Sequence, residues 1–153
     1  MTDTEMLSQH FTEAGIDNSR QNLNGLAFNP ILPEEGEEAD TVTLRYTAKI
    51  YSKWEYDSRA GNYVRYQDVE TDFGEGEVYD ILIDRVNDQP ITTENVVVLL
   101  VDQQYYLVTP EMIEFDLMGY GDAYLFRDGM VYELNWARTA DAELIAITYD
   151  DGS

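Results

Sequence analysis

Polar and apolar residues alternate from Thr41 onward, in short runs that are separated by turn residues. Alternation with a period of two places successive side chains on opposite faces of a β-strand. The run "AYLFRDGMVYELNW", residues 123–136, shows the pattern clearly, because its central Asp128-Gly129 favours the two-residue turn of a β-hairpin. The sequence therefore predicts a fold built mainly from antiparallel strands.

Three segments define the predicted strands in more detail. Residues 41–52, "TVTLRYTAKIYS", alternate throughout, which predicts one strand with a solvated face. Residues 95–101 are almost entirely apolar, which predicts a central strand covered on both faces. Residues 69–89 are ambiguous, because Gly74 and Gly76 indicate a loop whereas "VYDILIDRV" fits a strand or a short helix. The other predicted strands are "NYVRYQ", "QYYLVT", "MIEFDLM" and "ELIAITYDD".

One amphipathic helix is predicted over residues 3–14. Thr2 and Glu5 form a capping-box pattern, and Gly15 marks the end of the helix. The apolar residues at helical spacing are Leu7, Phe11 and Ala14. The predicted fold class is therefore α+β, with mostly antiparallel β-sheets and an N-terminal amphipathic helix, in a single domain over residues 1–153.

The charge of the chain is strongly unbalanced, with 31 acidic and 9 basic residues and a formal net charge of -22. Such a field repels the phosphates of nucleic acids and anionic lipid headgroups. We therefore expect no nucleic-acid partner. Calcium coordination, adaptation to salt and a basic partner all fit the imbalance, and we adopt the simplest interpretation, a solvated acidic surface.

Few residues could serve catalysis or hold a metal. Cysteine is absent, and the one histidine, His10, lies on the predicted helix with no nucleophile placed near it. Asp84 with Asp88, and Asp150 with Asp151, could donate oxygen ligands, but neither a twelve-residue calcium loop nor an HExxH motif is present. We expect no cofactor and no metal site.

The pair Gly119 and Gly121 resembles part of a phosphate-binding loop. Such a loop needs a helix behind it, whose free N–H groups point at the anion. The residues that follow alternate as a strand instead. We interpret the pair as a strand entry or a bulge.

Six short motifs occur along the chain: Trp54-x-Tyr56, Tyr63-x-Arg65, Asn95-Val96-Val97-Val98, Gly119-x-Gly121-x-Ala123, Phe126-x-Asp128-Gly129 and Trp136-x-Arg138. Their order and spacing resemble the C-terminal domain of the YerB-like bacterial lipoproteins. The resemblance implies a layered β/β/α sandwich of two antiparallel sheets and a helical layer. It also implies a location outside the bacterial cell membrane, through a lipidated N-terminus, and no settled activity.

The chain departs from the family pattern in three ways. Leu134 stands where members usually have glycine, and the segment "TDFGEGEVYD" is an insertion. The closing Gly-x-Thr-Trp strand of the family would follow Asp151-Gly152, where the sequence stops at Ser153. We therefore expect a domain that lacks its last strand, together with the N-terminal half and the lipid-bearing cysteine of the family.

Membrane contact is expected only through that lipid anchor, which this chain does not contain. No segment reaches the apolar length of a membrane span, and "MTDTEMLSQH" lacks the basic and hydrophobic regions of a secretory signal. We expect the chain as given to be soluble.

Five residues are candidates for ligand binding: Trp54, Tyr63, Arg65, Trp136 and Arg138. Exposed aromatic rings stack on sugars or pack on peptides, so the two tryptophans are hypothesised anchors. The arginines are hypothesised anion clamps. The alternative interpretation is structural, with aromatic packing across strands and ion pairs between the arginines and carboxylates.

The predicted function is the non-catalytic binding of a protein or a cell-wall component at the bacterial surface. The alternative is a carboxylate-based hydrolase of cell-wall glycans, since a glycosidase needs two carboxylates across a cleft. With 31 acidic residues, the sequence does not identify such a pair. A third hypothesis is association by strand exchange, because an unpaired sheet edge favours pairing with another chain.

Overall fold

A computed structural model describes residues 4–16, 31, 35–47, 50–68, 78–109, 112–140 and 143–149. This part of the chain contains one helix and fourteen strands. They are α1 (Thr4–Glu13), β1 (Glu37–Glu38), β2 (Thr41–Thr47), β3 (Ile50–Asp57), β4 (Asn62–Asp68), β5 (Tyr79–Ile81), β6 (Ile83–Asp84), β7 (Gln89–Pro90), β8 (Thr92–Thr93), β9 (Asn95–Leu99), β10 (Gln103–Leu107), β11 (Met112–Phe115), β12 (Gly119–Arg127), β13 (Met130–Arg138) and β14 (Ala146–Thr148).

The predicted fold class, α+β with mostly antiparallel sheets, is confirmed. Every strand pair in the described residues is antiparallel. The chain divides into a unit over residues 1–30, which contains α1, and a unit over residues 31–153, which contains all the strands.

Helix α1 agrees with the prediction for residues 3–14. Glu5 lies in its first turn, where a negative charge suits the helix dipole. The helix ends in a Schellman motif, in which the N–H of Ile16 donates to the carbonyl of Phe11 at 2.9 Å and the N–H of Gly15 donates to that of Thr12 at 3.2 Å. Within the described residues, no helix has the length and apolar character that a membrane span needs.

The β12–β13 hairpin confirms the interpretation of the Asp128-Gly129 turn. The two strands pair without interruption from Gly119 opposite Arg138 to Arg127 opposite Met130. Asp128 and Gly129 have φ values of 54° and 76°, the two positive angles that a type I′ turn requires. Gly119 begins β12 and no bulge interrupts the pairing, so the glycine pair marks a strand entry.

The hairpin forms the centre of a sheet that we call the β12–β13 sheet, with the strand order β1-β13-β12-β9 and with β14 also paired to β13. The strand predicted over residues 95–101 is present as β9 and has side chains packed on both faces, but among the described residues it lies at the edge of the sheet and not at its centre. Within the described residues β9 pairs with β12 alone, and Val97 on it is 42% exposed. The strand is apolar at successive positions because Val96 and Val98 pack on one face of the sheet and Leu99 packs on the other.

A second sheet, which we call the β3–β4 sheet, has the order β2-β3-β4-β5, with β8 also paired to β4. The prediction of one strand over residues 41–52 is wrong, because β2 ends at Thr47 and β3 begins at Ile50 to run back beside it. The residues between 47 and 50 include no glycine, proline, asparagine or aspartate, so the usual turn signal is missing.

The segment that the sequence left ambiguous is extended where it is described. Residues 79–81 form β5, and β6 and β7 form a small hairpin after it. Residues 69–77 lie outside the described residues.

Two buried clusters lie on opposite faces of the β12–β13 sheet. One contains Ala123, Tyr132, Leu134 and Trp136. The other contains Val42, Tyr63 and Val96 and joins this sheet to the β3–β4 sheet. Burial of each large side chain contributes roughly 1.5–3 kcal/mol, so these clusters are the main source of stability for the strands around them.

Candidate functional site

A cleft of about 550 Å³ lies beside the hairpin of β10 and β11, at the end of the β12–β13 sheet where β12 begins and β13 ends. A smaller hollow of about 250 Å³ adjoins it and shares Asp102, Asp116 and Met118 with it. We treat the two as one site and call it the acidic cleft. Its acidic residues are Asp102, Glu114, Asp116 and Asp122, and its apolar residues are Leu100, Phe115, Leu117, Met118, Tyr120 and Trp136.

Backbone pairing and a local turn hold the walls of the acidic cleft. The N–H of Asp116 donates to the carbonyl of Asp102 at 2.9 Å, which extends the ladder of β10 and β11. A carboxylate oxygen of Asp116 then accepts the N–H of Met118 at 2.9 Å. This side-chain turn leads the chain from β11 into β12.

Large apolar side chains of the β10–β11 hairpin, and of the chain that leads from it into β12, are exposed to solvent. In the β10–β11 hairpin, Tyr105 lies opposite Ile113 on one face, and after a shift in register Leu107 lies opposite Met112 on the other. Tyr106, at the shift, is 72% exposed. Tyr120, at the start of β12, is 87% exposed. We call this set the hairpin surface, and its exposed members are Tyr105, Tyr106, Leu107, Val108, Met112, Phe115, Met118 and Tyr120.

The charge of the acidic cleft is mostly negative. Its one described cation is Arg138, whose Nε donates to the backbone carbonyl of Glu143 at 3.0 Å. The hydroxyl and the N–H of Thr139 both donate to the Glu143 carboxylate, and the hydroxyl bond is the main reason that the pKa of Glu143 is lowered. Arg138 is therefore held at the edge of the cleft by the segment that follows β13.

The structure places two of the five predicted site residues at this cleft. Arg138 lines the larger part, and Trp136 lines the smaller part. The Trp136 ring is 3% exposed, packs against Gly121, and donates from Nε1 to the carbonyl of Leu100 at 2.9 Å. The ring therefore has no exposed face for stacking, and Trp136 forms part of the cleft wall instead.

The other three predicted residues lie in the β3–β4 sheet. Tyr63 is fully buried, and Trp54 is half-buried opposite Arg65 in the strand pairing. The Arg65 guanidinium lies 5.5 Å from the centre of the Trp54 ring, a cation–π contact. No described carboxylate lies within 4.0 Å of Arg65, so the structural ion pair is not found among these residues. The part that the five residues play in ligand binding stays a prediction.

A second cluster of charge and aromatic rings lies on the opposite face of the β3–β4 sheet. The Lys53 ammonium lies 4.9 Å from the Tyr66 ring centre and 4.7 Å from that of Tyr79, and it forms an ion pair with Glu55 at 2.7 Å. The hydrogen bond from Lys53 lowers the pKa of Glu55, and burial raises the pKa of Tyr66. The lysine of this chain itself fills the space between the rings, so we interpret the cluster as structural.

The structure describes only one of the two aspartate pairs that were considered as metal ligands. The Asp84 carboxylate accepts the N–H of Val86 at 2.8 Å and so forms the turn between β6 and β7, in which Asp88 has a φ of 56°. Asp150 and Asp151 lie outside the described residues. Within the described residues, no group of three or more histidine, aspartate or glutamate side chains is arranged to hold a metal ion.

Sequence reasoning missed the residues of the hairpin surface. The sequence predicted these strands but not the exposure of their side chains. The available signal was the run of large side chains from Tyr105 to Val108, because a strand with one solvated face would alternate such residues with polar ones.

Comparison with solved structures finds a similar fold in the YerB protein from Bacillus subtilis. The TM-score is 0.61 at 20% sequence identity, and the match covers 97% of this chain and 46% of the YerB chain. This chain thus spans less than half of the length of YerB. No curated protein matches.

Comparison with protein families matches residues 42–153 to the C-terminal domain of a protein family of unknown function, DUF3048. The match covers more than half of the chain and includes all six motifs on which the YerB-like resemblance was based, so that resemblance is confirmed. The chain belongs to the family of the DUF3048 C-terminal domain.

Proposed function

We propose that this domain is a non-catalytic binding domain that holds a partner protein at the hairpin surface and the acidic cleft. The observation that carries the proposal is the exposure of large apolar side chains on both faces of the β10–β11 hairpin. Apolar groups that are contiguous and exposed beside a cleft are typical of interaction sites, whereas single exposed apolar residues are not.

The biological setting is part of the same proposal. On the resemblance to the YerB-like lipoproteins, we propose a domain of a bacterial lipoprotein on the outer face of the cell membrane. A partner in that setting is another envelope protein or a component of the cell wall. The hairpin surface favours the protein, because it offers several large rings and aliphatic groups over an extended area.

Site-specific photo-crosslinking tests the proposal. A photoreactive phenylalanine replaces Tyr106 on the hairpin surface, and a matched variant carries it at Arg59, which is exposed in the turn between β3 and β4. We expect crosslinks to an envelope protein from position 106 only.

The captured protein is then purified and titrated against the wild type and against Phe115→Ser. We expect the substitution to weaken binding about tenfold, since a central aromatic contact contributes about 1–2 kcal/mol or more. Equal crosslinking from both positions, or equal affinity of both proteins, would contradict the proposal.

A hydrolase is the second candidate, and one specific observation favours it. The acidic cleft brings Asp102, Glu114 and Asp116 into one concave site, as a carboxylate-based enzyme requires. Glu55 and Glu143, by contrast, have a lowered pKa, which is opposite to the direction needed for a general acid.

Purified peptidoglycan distinguishes the two functions. New reducing ends that disappear in both Asp102→Asn and Glu114→Gln would establish hydrolysis. Absence of new reducing ends with the wild type is the result that the binding function predicts.

Association by strand exchange is a further mode that we propose to test in the same samples. An exchanged strand would make a dimer whose population rises with concentration. Light scattering over a range of concentrations measures this, and a constant monomer mass would exclude it.

A further inference from the structure

The charge and the exposed groups of the acidic cleft indicate which kind of partner it accepts, an inference that rests on the proposed function. We propose that the occupant is a basic and apolar segment of a protein, with lysine or arginine side chains next to aliphatic or aromatic ones. The charges of the lining and the apolar groups on its rim are two separate observations that support this.

The apolar part of the surface can contact an extended segment along the whole cleft. Phe115, at the end of β11, lines the larger part; Tyr120, at the start of β12, lines the smaller part; and Met118 lines both. All three side chains are exposed, so they would lose contact with water only when a partner covers them. Such contacts provide affinity but do not select the charge of the partner.

The charged part of the surface provides that selection. Asp102 and Asp116 line both parts of the cleft, and Asp122 lines the smaller part. The nearby guanidinium of Arg138 is held by the Glu143 carbonyl at the edge. At physiological ionic strength the field of exposed charges extends about 8 Å, so these carboxylates act across the cleft itself. They attract a lysine or arginine that enters between the apolar contacts and repel an acidic segment.

Other classes of occupant fit these observations less well. Anionic lipids and nucleic acids would be repelled by the cleft as well as by the net charge of -22. A neutral glycan would stack on exposed rings but would gain nothing from the carboxylates beyond hydrogen bonds. These occupants are therefore outcomes that the experiment must distinguish.

Three labelled peptides test the inference by fluorescence anisotropy with the whole chain. Each alternates valine with one other residue, which is lysine in the first peptide, serine in the second and glutamate in the third. We expect the lysine peptide to bind about tenfold more tightly than the serine peptide at low salt and to lose that advantage at high salt. The glutamate peptide should bind most weakly.

Two double variants, each of which removes two negative charges, test whether the preference for lysine depends on the carboxylates of the cleft. Asp102→Asn with Asp122→Asn removes two carboxylates from the cleft, and Asp80→Asn with Glu94→Gln removes two exposed carboxylates elsewhere in the strand-containing unit. We expect the first to weaken lysine-peptide binding about three- to tenfold, the effect of two surface ion pairs, and the second to change it less than about twofold.

Three results would overturn the inference. They are equal affinity for the lysine and serine peptides, an equal effect of both double variants, and absence of binding by all three peptides. In each case the crosslinking experiment still decides the proposed function independently, because it requires no assumption about the charge of the partner.

Discussion

At the scale of single residues, Tyr63 connects the two main sheets. Its side chain is fully buried in the cluster that joins them. Its hydroxyl accepts the N–H of Gly129 at 3.1 Å, in the turn of the β12–β13 hairpin, and donates to the carbonyl of Ala39 at 3.5 Å. Burial raises the pKa of this hydroxyl, which therefore remains a donor well above neutral pH.

Tyr63→Phe should lower the free energy of unfolding by about 1–2 kcal/mol, because it leaves the buried N–H of Gly129 without its acceptor. Urea unfolding measures this. Tyr106→Phe is the matched control, since that side chain is exposed and its change should stay within about 0.5 kcal/mol. Equal stability of the wild type and Tyr63→Phe would show that the hydroxyl contacts contribute nothing.

Glu55 should make the stability of the protein depend on acid pH. Its pKa is lowered, mainly by the hydrogen bond from Lys53, so the folded state favours the carboxylate more than the unfolded state does. The resulting stabilisation is present above the unfolded pKa of about 4.5 and is lost as the pH falls through the lower folded value.

Glu55→Gln should therefore destabilise the protein at pH 7, by less than about 1 kcal/mol because the pair is partly exposed, and this difference should vanish at acid pH. Urea midpoints measured between neutral and acid pH test it. Glu94→Gln, at an exposed glutamate, provides the control. If the destabilisation by Glu55→Gln instead grew as the pH fell, the pKa of Glu55 would be raised in the folded state and not lowered.

At the scale of elements, the sequence predicted most strands but not how some of them are arranged. The β12–β13 hairpin was predictable because Asp128-Gly129 specifies a turn whose twist matches its strands. The turn between β2 and β3 was missed, because alternation continues on both sides of it without a turn residue. The edge position of β9 was missed because its side chains pack on both faces of the sheet. The resulting run of apolar residues is the pattern expected of a central strand.

The candidate site was predicted in part, for a related physical reason. Local patterns identify aromatic and basic residues, but burial depends on strands that are distant in sequence. Trp136 lines the cleft as a buried wall because Gly121 and Leu100 close over its ring. The exposed hairpin of β10 and β11 was not predicted, since exposure on both faces is unusual for residues of this type.

The β10–β11 hairpin should contribute little to the stability of the fold. Replacing Tyr106 by serine should change the free energy of unfolding by less than about 0.5 kcal/mol, since its side chain is mostly exposed in the unbound chain. Thermal unfolding measures this, and Val42→Ala in the buried cluster, which should cost roughly 1–3 kcal/mol, is the positive control. A comparable loss in both variants would show that the hairpin is part of the core.

At the scale of the whole molecule, the net charge of -22 opposes the folded state through repulsion between carboxylates. It also limits the partners that can approach. The same excess of acid that repels polyanions attracts a basic protein, so the composition and the proposed site both favour a partner of positive charge. The chain spans 46% of the length of YerB, so the activity of a longer protein of this family remains a separate question.

Salt should stabilise the protein. Raising sodium chloride from about 0.01 M to about 1 M shortens the screening length from about 30 Å to about 3 Å, which should raise the Tm by about 4 °C or more. Differential scanning calorimetry measures this. The variant Asp80→Asn with Glu94→Gln should show a higher Tm at low salt and a smaller response. A Tm that falls with salt would mean that attractive ion pairs outweigh the repulsion.

The central claim is that the acidic cleft and the hairpin surface bind a basic and apolar segment of a partner, and an NMR titration of the isotope-labelled chain with the valine–lysine peptide tests it most directly. We predict saturable shift changes in residues 100–122 and 136–138, with the β3–β4 sheet unaffected. Changes centred on Trp54 and Arg65, or no saturable change at the cleft, would contradict the claim.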